Sequence, residues 1–239
     1  MMTARKLILQ RMASYTLVIV MITCYGISNE VDSAAVPAAG ILRLPEPRRH
    51  GKLSLEAALE HRRSIREYKA EPVRLQEVSQ LLWAAQGITG ADGRRTAPSA
   101  GATYPLELYL VAGKVTGLAP GFDRYRPVEH ALIRIRGEDL RVPLAKAALG
   151  QDLIQHGPMV FAVTVVIEHT ARRYRSRAER YAHLEAGHAA QNVLLQAVTL
   201  GLDAVSIGAF HDGEVKRLLA LTENEHPLYL LPAGRPSDR

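Results

Sequence analysis

Cysteine is nearly absent from this sequence. Cys24 is the only cysteine among 239 residues, which excludes an intrachain disulfide and any paired-cysteine metal or redox motif. The histidines offer no replacement, because His183 and His188 are five residues apart and do not share a helix face, and no HExxH spacing occurs. We therefore predict no metal site, and redox chemistry would need a bound organic cofactor.

Aromatic residues and long runs of one charge are also scarce. Phe, Trp and Tyr make up 5% of the chain, so the core must consist mainly of Leu, Val, Ile and Ala. The formal net charge is +6, but no long basic run indicates a nucleic-acid partner, and we predict none. A hydrophobic fraction of 47% and a charged fraction of 23% are typical of a globular protein. The length predicts one domain with a short extension.

The first 35 residues have the pattern of an export signal. Positive charges at Arg5, Lys6 and Arg11 precede a mostly apolar stretch over 13–27, and small residues at 33–35 would permit cleavage. The apolar stretch is shorter than the roughly 20 residues of a membrane span, so we predict a signal peptide, with an uncleaved signal anchor as the alternative. Both place the folded part outside the cytoplasm, periplasmic or otherwise extracytoplasmic, and only an anchor would hold it at the membrane.

Residues 36–52 contain three prolines and are predicted to be a linker, which leaves 53–239 as the folded domain. Ser54 is a suitable N-cap for a helix through Glu60, with Leu55, Ala58 and Leu59 on its inner face. A second amphipathic helix is predicted from Pro72 to Gly87.

The remaining pattern mixes helices and strands. Strands are predicted over 106–111, 122–125, 131–135, 159–167, 205–210 and 228–232. The longest helix, over 181–200, is apolar on nearly all sides after Ala189, which is typical of a core helix or an oligomer interface. Because strands and helices do not alternate as βαβ units, the predicted fold class is α+β.

Two segments carry candidate ligand contacts. The first, 61–68, has three arginines and a serine within five positions, a set that can bind phosphate oxygens from several sides. The alternative is a solvated basic helix end. The second, 96–105, is rich in small residues that let the backbone approach a flat ligand, although it could also be a plain loop.

Six motifs in order resemble those of the nitroreductase family of FMN enzymes, and within it the SagB-type dehydrogenase group. They are HRRSIREY (61–68), APSAGATYPLELYLV (97–111), PGFDRYRPVEHAL (120–132), RYAHLEAGHAAQN (180–192), LGLDAVSIGAF (200–210) and PAGRP (232–236). The resemblance implies a homodimer with a mainly antiparallel sheet flanked by helices and two FMN molecules at the interface. It also implies a two-electron, ping-pong oxidoreductase that uses a small-molecule donor, with NAD(P)H as a candidate, and an acceptor.

The resemblance assigns the cofactor contacts by matching position. The residues implied for the ribityl chain and phosphate are Arg62, Arg63, Ser64 and Arg66, joined by Gly234 and Arg235. Those implied to approach the ring from the partner chain are Pro98, Ser99, Ala100 and Gly101. Gly208 and Ala209 would direct backbone N–H groups at the reactive edge, where negative charge grows on reduction.

One departure from the group concerns catalysis. Azoline-oxidising members carry a Lys-Tyr pair where this chain has Arg173 and Tyr174, and arginine cannot act as a base. Tyr174 is the candidate proton donor or acceptor, with a structural role as the alternative. Five arginines over 172–180 form either a solvated loop or a lid that attracts an anionic substrate or nicotinamide phosphate. The alternative function is a non-catalytic exported flavin-binding or interaction protein.

Overall fold

The computed structural model describes residues 40–237, which contain a seven-stranded sheet. Its strands are β1 (Ile41–Arg43), β3 (Leu106–Ala112), β5 (Gly121–Arg126), β6 (Ala131–Arg136), β7 (Met159–Val166), β8 (Asp203–Ala204) and β9 (Glu225–Gly234). They are ordered β1-β6-β5-β3-β7-β9-β8, and each neighbouring pair is antiparallel. Two short strands, β2 (Val73–Arg74) and β4 (Val115–Thr116), pair separately and in parallel.

Within residues 40–237, seven helices accompany the sheet. They are α1 (Leu55–His61), α2 (Leu75–Gln86), α3 (Arg141–Ala147), α4 (Asp152–His156), α5 (Ile167–Tyr174), α6 (Ala178–Thr199) and α7 (Asp212–Leu218). Short 3-10 turns occur over Ala100–Ala102 and Arg175–Arg177. The predicted α+β class with a mainly antiparallel sheet is confirmed. Within residues 40–237, none of the helices is both long and apolar enough to cross a membrane.

The sheet is covered by helices on both faces, and β7 shows why its sequence is a continuous apolar run. All eight of its residues are buried. Phe161 and Val163 pack in the core that contains α2 and α6, whereas Val160 and Ala162 pack in the core that contains α3, α4 and α7. Because successive strand side chains point to opposite faces, a strand between two helical layers is mainly apolar on both, and the one polar residue of β7, Thr164, donates its hydroxyl hydrogen bond to the buried Glu225 carboxylate.

The segment predicted as a linker contributes to the sheet where the structure describes it. Ile41 pairs with Ile133, so β1 is an edge strand, and Leu44 is buried. The Ser79 hydroxyl of α2 donates a hydrogen bond of 2.5 Å to the carbonyl oxygen of Pro45. Residues 41–45 are therefore held by strand pairing and packing that the proline content did not indicate. The predicted signal or anchor segment lies outside the described residues.

Helix α1 has the predicted cap but not the predicted inner face. The Ser54 hydroxyl accepts a hydrogen bond from the backbone N–H of Ala57 at 3.2 Å. Ala58 is buried, but Leu55 and Leu59 are 61% and 52% exposed. The prediction that these two leucines face the core is therefore wrong, because only the small Ala58 side chain is enclosed in this short helix.

The strand predicted over 205–210 is also wrong in its extent. Regular pairing stops at Ala204, and Ile207 then forms a single bridge to Leu230. Gly208 and Ala209 are exposed. Residues this small bury little surface against a sheet, which weakens a regular strand. The chain instead presents an irregular, solvent-facing backbone beyond β8.

Candidate functional site

The basic segment after α1 lies against β8 and the end of β9. Ser64 forms a parallel bridge with Ala204, and Tyr68 forms an antiparallel bridge with Pro236. The Tyr68 hydroxyl donates to the carbonyl oxygens of Ile65 at 2.8 Å and Pro232 at 3.0 Å. Burial, reinforced by the charge of a nearby aspartate, raises the pKa of Tyr68, so this hydroxyl stays a donor. These contacts bring motifs from both ends of the domain together.

Four side chains of this segment are available to a ligand to different degrees. Arg63, Ser64 and Arg66 are exposed and Arg62 is half-buried. Arg63 is partly engaged, because its Nη1 donates to the carbonyl oxygens of Glu60 and Arg62, both at 2.8 Å. Arg66 Nη1 donates to the carbonyl oxygen of Ser64 at 3.3 Å. The result is a concentration of cationic and hydroxyl donors at the β8 edge of the sheet.

Arg235 has a different environment from the other predicted phosphate arginines. Its Nη2 lies 3.1 Å from Oε1 of Glu77 and its Nε lies 3.4 Å from Oε2 of Glu71. Glu77 is buried, which alone would raise its pKa, but hydrogen bonds from Arg74 and Arg235 outweigh burial and the pKa is lowered. The guanidinium of Arg235 is therefore held in an ion pair at the start of α2.

Gly234 is constrained by packing. A Cβ added there would lie 2.7 Å from Cδ of Pro158 and 3.2 Å from Cβ of Tyr68. Such distances require the neighbours to move, so the close approach of β9 to these residues requires glycine. The structure thus explains this glycine by contacts within the chain.

The small-residue loop meets the predicted catalytic tyrosine. Gly101 has φ +60°, and a Cβ added there would lie 2.7 Å from the Tyr174 hydroxyl and 2.9 Å from Cδ of Arg173. Arg173 Nη1 donates to the carbonyl oxygen of Gly101 at 3.4 Å. The Tyr174 ring packs edge-on against Tyr181, with centroids 4.9 Å apart. The Arg-Tyr pair and the loop therefore form one surface within a single chain.

A buried carboxyl group, Glu185, lies behind this loop. Glu185 is 2% exposed, and burial raises its pKa to about 7 despite hydrogen bonds from Ser99 and Gln86 and the charge of Arg95. Gln86 Nε2 lies 3.5 Å from Oε1 of Glu185, and Arg95 donates to Oε1 of Gln86 at 2.9 Å. Arg95 also lies over the Tyr104 ring, 4.4 Å from its centroid. This network connects α2 and α6 to the loop.

Sequence reasoning did not select Glu185, although a signal was present. Glu185 is three residues after Ala182 and four before Ala189, and both alanines are buried. Residues at these spacings lie on one face of a helix. A glutamate on an otherwise apolar face of a helix predicts a buried carboxyl group that is hydrogen-bonded to polar neighbours. The spacing alone would have allowed that prediction.

Gly208 and Ala209 follow β8 in the chain, four and five residues after Ala204, the residue that pairs with Ser64. A Cβ added at Gly208 would meet only the ring of Tyr229, at 3.9 Å. The carbonyl oxygen of Ala209 accepts a hydrogen bond from Gln151 Nε2 at 2.8 Å. Little side-chain volume therefore covers the backbone at these two positions.

The predicted site residues fall into two groups, one on the segments next to β8 in space or in the chain and one around the small-residue loop. We call the first the basic edge: Arg62, Arg63, Ser64, Arg66, Gly208 and Ala209. We call the second the loop cluster: Pro98, Ser99, Ala100, Gly101, Arg173 and Tyr174. Arg235 and Gly234 border the basic edge through backbone pairing, since Lys69 N donates to the carbonyl oxygen of Arg235 at 2.9 Å.

Comparison with known proteins gives consistent matches. A nitroreductase-like protein of Methanocaldococcus jannaschii, MJ1384, is 46% identical over 184 residues, which are 77% of this chain and 92% of that protein. The trifolitoxin operon protein TfxC of Rhizobium leguminosarum bv. trifolii is 29% identical over 192 residues. These cover 74% of this chain and 54% of TfxC, so the chain spans about half of that relative.

Solved structures agree with the sequence relatives. The crystal structure of a nitroreductase-like protein from Ralstonia eutropha has a TM-score of 0.74 and 30% sequence identity, over 86% of this chain and 94% of that one. Residues 59–235 match the nitroreductase family, a range that includes all of the basic edge and the loop cluster. This chain therefore belongs to the nitroreductase family, whose members are generally flavin oxidoreductases.

Proposed function

We propose that this protein is an FMN-dependent oxidoreductase that moves two electrons from a small-molecule donor to an acceptor in a ping-pong reaction. The observation that carries the proposal is the basic edge: Ser64 pairs with Ala204 of β8, Arg62 and Arg66 lie two residues to either side of Ser64, and the exposed Gly208 and Ala209 follow β8 in the chain. Arginine and hydroxyl donors match a phosphate monoester, which FMN has and riboflavin lacks.

The donor set fits FMN with two adjustments to the residues that the resemblance implies, because Arg63 already donates to the carbonyl oxygens of Glu60 and Arg62 and Arg235 is paired with Glu77. Arg235 would have to leave the buried Glu77 to reach a phosphate. We therefore assign the phosphate to Arg62, Ser64 and Arg66, and assign Arg235 to holding β9 against α2. When bound, FMN would supply a ring that accepts and returns a hydride, while the protein supplies binding, orientation and electrostatics.

In this proposal Tyr174 holds or donates a proton beside the ring. Its hydroxyl lies at the surface of the small-residue loop next to Gly101, the loop that we propose approaches the flavin of the partner chain. Arg173 contributes a fixed positive charge but no base, because a guanidinium keeps its protons. The proposed chemistry is therefore a dehydrogenase or reductase reaction that does not depend on a lysine base.

We also propose that the active unit is a homodimer with shared sites. Leu53, Leu55 and Leu59 are 38%, 61% and 52% exposed at and beside α1. A groove of about 720 Å³ lies beside them, between residues 48–55, α2 and α6. Clustered apolar surface of this kind is typical of a protein interface, and a partner covering it would join two copies around the long helix.

We further propose that the activity is that of a SagB-type dehydrogenase, that the protein is exported, and that NAD(P)H is its electron donor. The motif order supports the SagB-type assignment, and the likeness to TfxC is consistent with it. The charge and apolar pattern of residues 1–35 supports export. The replacement of lysine by Arg173 favours a second candidate, an exported flavin-binding protein without turnover, and assays with donors and acceptors separate the two.

The test compares FMN with riboflavin on the purified protein. Replacing Arg66 with Ala should weaken FMN binding by about 1.5–3 kcal/mol, the usual contribution of a hydrogen bond to a charged group, and should leave riboflavin affinity unchanged. Arg43→Ala is the control, because Arg43 is exposed on β1 at the other edge of the sheet. Equal binding of FMN and riboflavin by the unmodified protein would contradict the phosphate assignment. In a separate assay, repeated reduction of bound FMN by NADH or NADPH and its reoxidation by an added acceptor would establish turnover.

A further inference from the structure

An arginine patch lies at the junction between α5 and α6. Its members, all exposed, are Arg172, Arg173, Arg175, Arg177 and Arg180. Elsewhere in the described part of the chain, seven arginines have an acidic partner within 4 Å. Within residues 40–237, no member of the patch takes part in an ion pair, although Glu168 and Glu179 are close in sequence. The patch is therefore a concentration of uncompensated positive charge.

The members of the patch lie on both sides of Tyr174 in the sequence. The Arg173 guanidinium carbon lies 5.7 Å from the centre of the Tyr174 ring, and its Nη1 reaches the carbonyl oxygen of Gly101. Tyr174 ends α5, and the next three residues form the 3-10 turn that leads into α6. Charges on this turn are therefore held next to the loop cluster.

The backbone at Arg175 adds a second, independent observation. Arg175 has φ +48° and ψ −121°, a conformation that glycine adopts freely and that strains a residue with a Cβ. Residues in such strained conformations concentrate at ligand-binding and active sites. Glycine at position 175 would relieve the strain, so the folded protein is less stable with arginine there than with glycine. In the described part of the chain, no ion pair of Arg175 offsets this loss.

We propose that the arginine patch binds the phosphate or carboxylate group of an anionic substrate, and this inference rests on the proposed oxidoreductase function. Guanidinium groups present forked donors that match both anions. Their mutual repulsion is relieved when a negative charge binds, so the patch favours a charged ligand over a neutral one of the same shape. The anion belongs either to the acceptor or to the 2′-phosphate of NADPH.

The test measures equilibrium binding of two matched pairs of probes to the full-length protein, with and without excess FMN. The first pair is 4-nitrobenzoate and nitrobenzene, and the second is NADP⁺ and NAD⁺, which differ by the same 2′-phosphate as NADPH and NADH but do not reduce FMN. Because one exposed ion pair contributes up to about 1 kcal/mol, we expect the anion to bind roughly fivefold more tightly than its counterpart in at least one pair. A preference in the first pair identifies the acceptor, and one in the second identifies the donor.

Two variants connect the preference to the patch. The double variant Arg177→Gln with Arg180→Gln removes two of the five guanidinium groups and should at least halve the preference for the anion, whereas the control Arg43→Gln should retain it. Arg175→Gly should also weaken it and, by relieving strain, should raise the melting temperature by roughly 2–6 °C. An unmodified protein with no preference in either pair, or variants that all keep the full preference, would establish a solvated loop and overturn the inference. Anion binding is measured without FMN as well as with it. A protein that fails to bind or reduce FMN would therefore contradict the oxidoreductase proposal, while the test of the arginine patch still gives its own result.

Discussion

Glu185→Gln should make the protein more stable at pH 8 while leaving its stability at pH 4 nearly unchanged. Glu185 is 2% exposed, and burial raises its pKa from 4.5 to about 7. In the unfolded chain the carboxyl group loses its proton near its ordinary pKa, but in the folded protein it keeps the proton until about pH 7. The contribution of Glu185 is therefore fully present below pH 4.5 and is lost as the pH rises through about 7.

The size of the effect follows from the two pKa values. One pKa unit corresponds to about 1.36 kcal/mol, so the shift from 4.5 to about 7 costs the folded protein on the order of 3 kcal/mol when the carboxyl group is ionised. Glutamine has nearly the same shape, can still hydrogen-bond to Ser99 and Gln86, and carries no titrating group. The variant should therefore avoid this loss, which corresponds to a rise of roughly 6–12 °C in melting temperature at pH 8.

The assay is thermal and denaturant unfolding of both proteins between pH 4 and pH 8, at one fixed FMN concentration. Glu179→Gln is the matched control, because Glu179 is exposed in the first turn of the same helix. The difference between Glu185→Gln and the unmodified protein should grow with pH, whereas that of the control should stay flat. A difference that does not change with pH, or a variant that is less stable at pH 8, would refute the reasoning that desolvation dominates at Glu185.

Three further predictions test the active site, the assembly and export. Tyr174→Phe should lower turnover by roughly 10²–10⁴ while FMN stays bound, and Arg173→Lys restores the Lys-Tyr pair for comparison; normal turnover by Tyr174→Phe would make that tyrosine structural. The unmodified protein should be a dimer by light scattering. Leu55→Ser with Leu59→Ser should weaken the dimer, because the apolar contact of these leucines with the second copy would be lost. A flavin-bound monomer would contradict the assembly. Residues 1–40 fused to a reporter active only outside the cytoplasm should give signal, and a reporter retained inside would contradict export.

Local sequence patterns determined most of the secondary structure. The nine-residue run after Pro158, apolar except for Thr164, predicted a strand buried on both faces, and β7 is buried throughout because it lies between two helical layers. Ser54 predicted the start of α1, and its hydroxyl caps that helix. Capping and burial periodicity depend on neighbours within a few residues, so a single sequence contains the information needed to recognise them.

Tertiary structure decided which distant groups meet. The sequence placed Arg235 with the phosphate arginines, but β9 brings its guanidinium to the buried Glu77. Leu55 and Leu59 matched a core-facing pattern, but only Ala58 is enclosed. Whether a polar or apolar group is buried depends on what packs against it from elsewhere in the chain, and local periodicity cannot specify that partner.

The candidate site divides in the same way. By residue type, the motif at 61–68 and the small-residue loop at 96–105 suit ligand contacts, but a solvated helix end and a plain loop were also open, and the resemblance to nitroreductase motifs selected the first interpretation. Gly101 meets Tyr174 although the two residues are 73 positions apart in the chain. The pKa of Glu185 is raised because the folded chain excludes water from its carboxyl group. Distances between separate elements and local desolvation exist only in the folded protein, so the sequence determined the chemistry available and the tertiary structure determined where it acts.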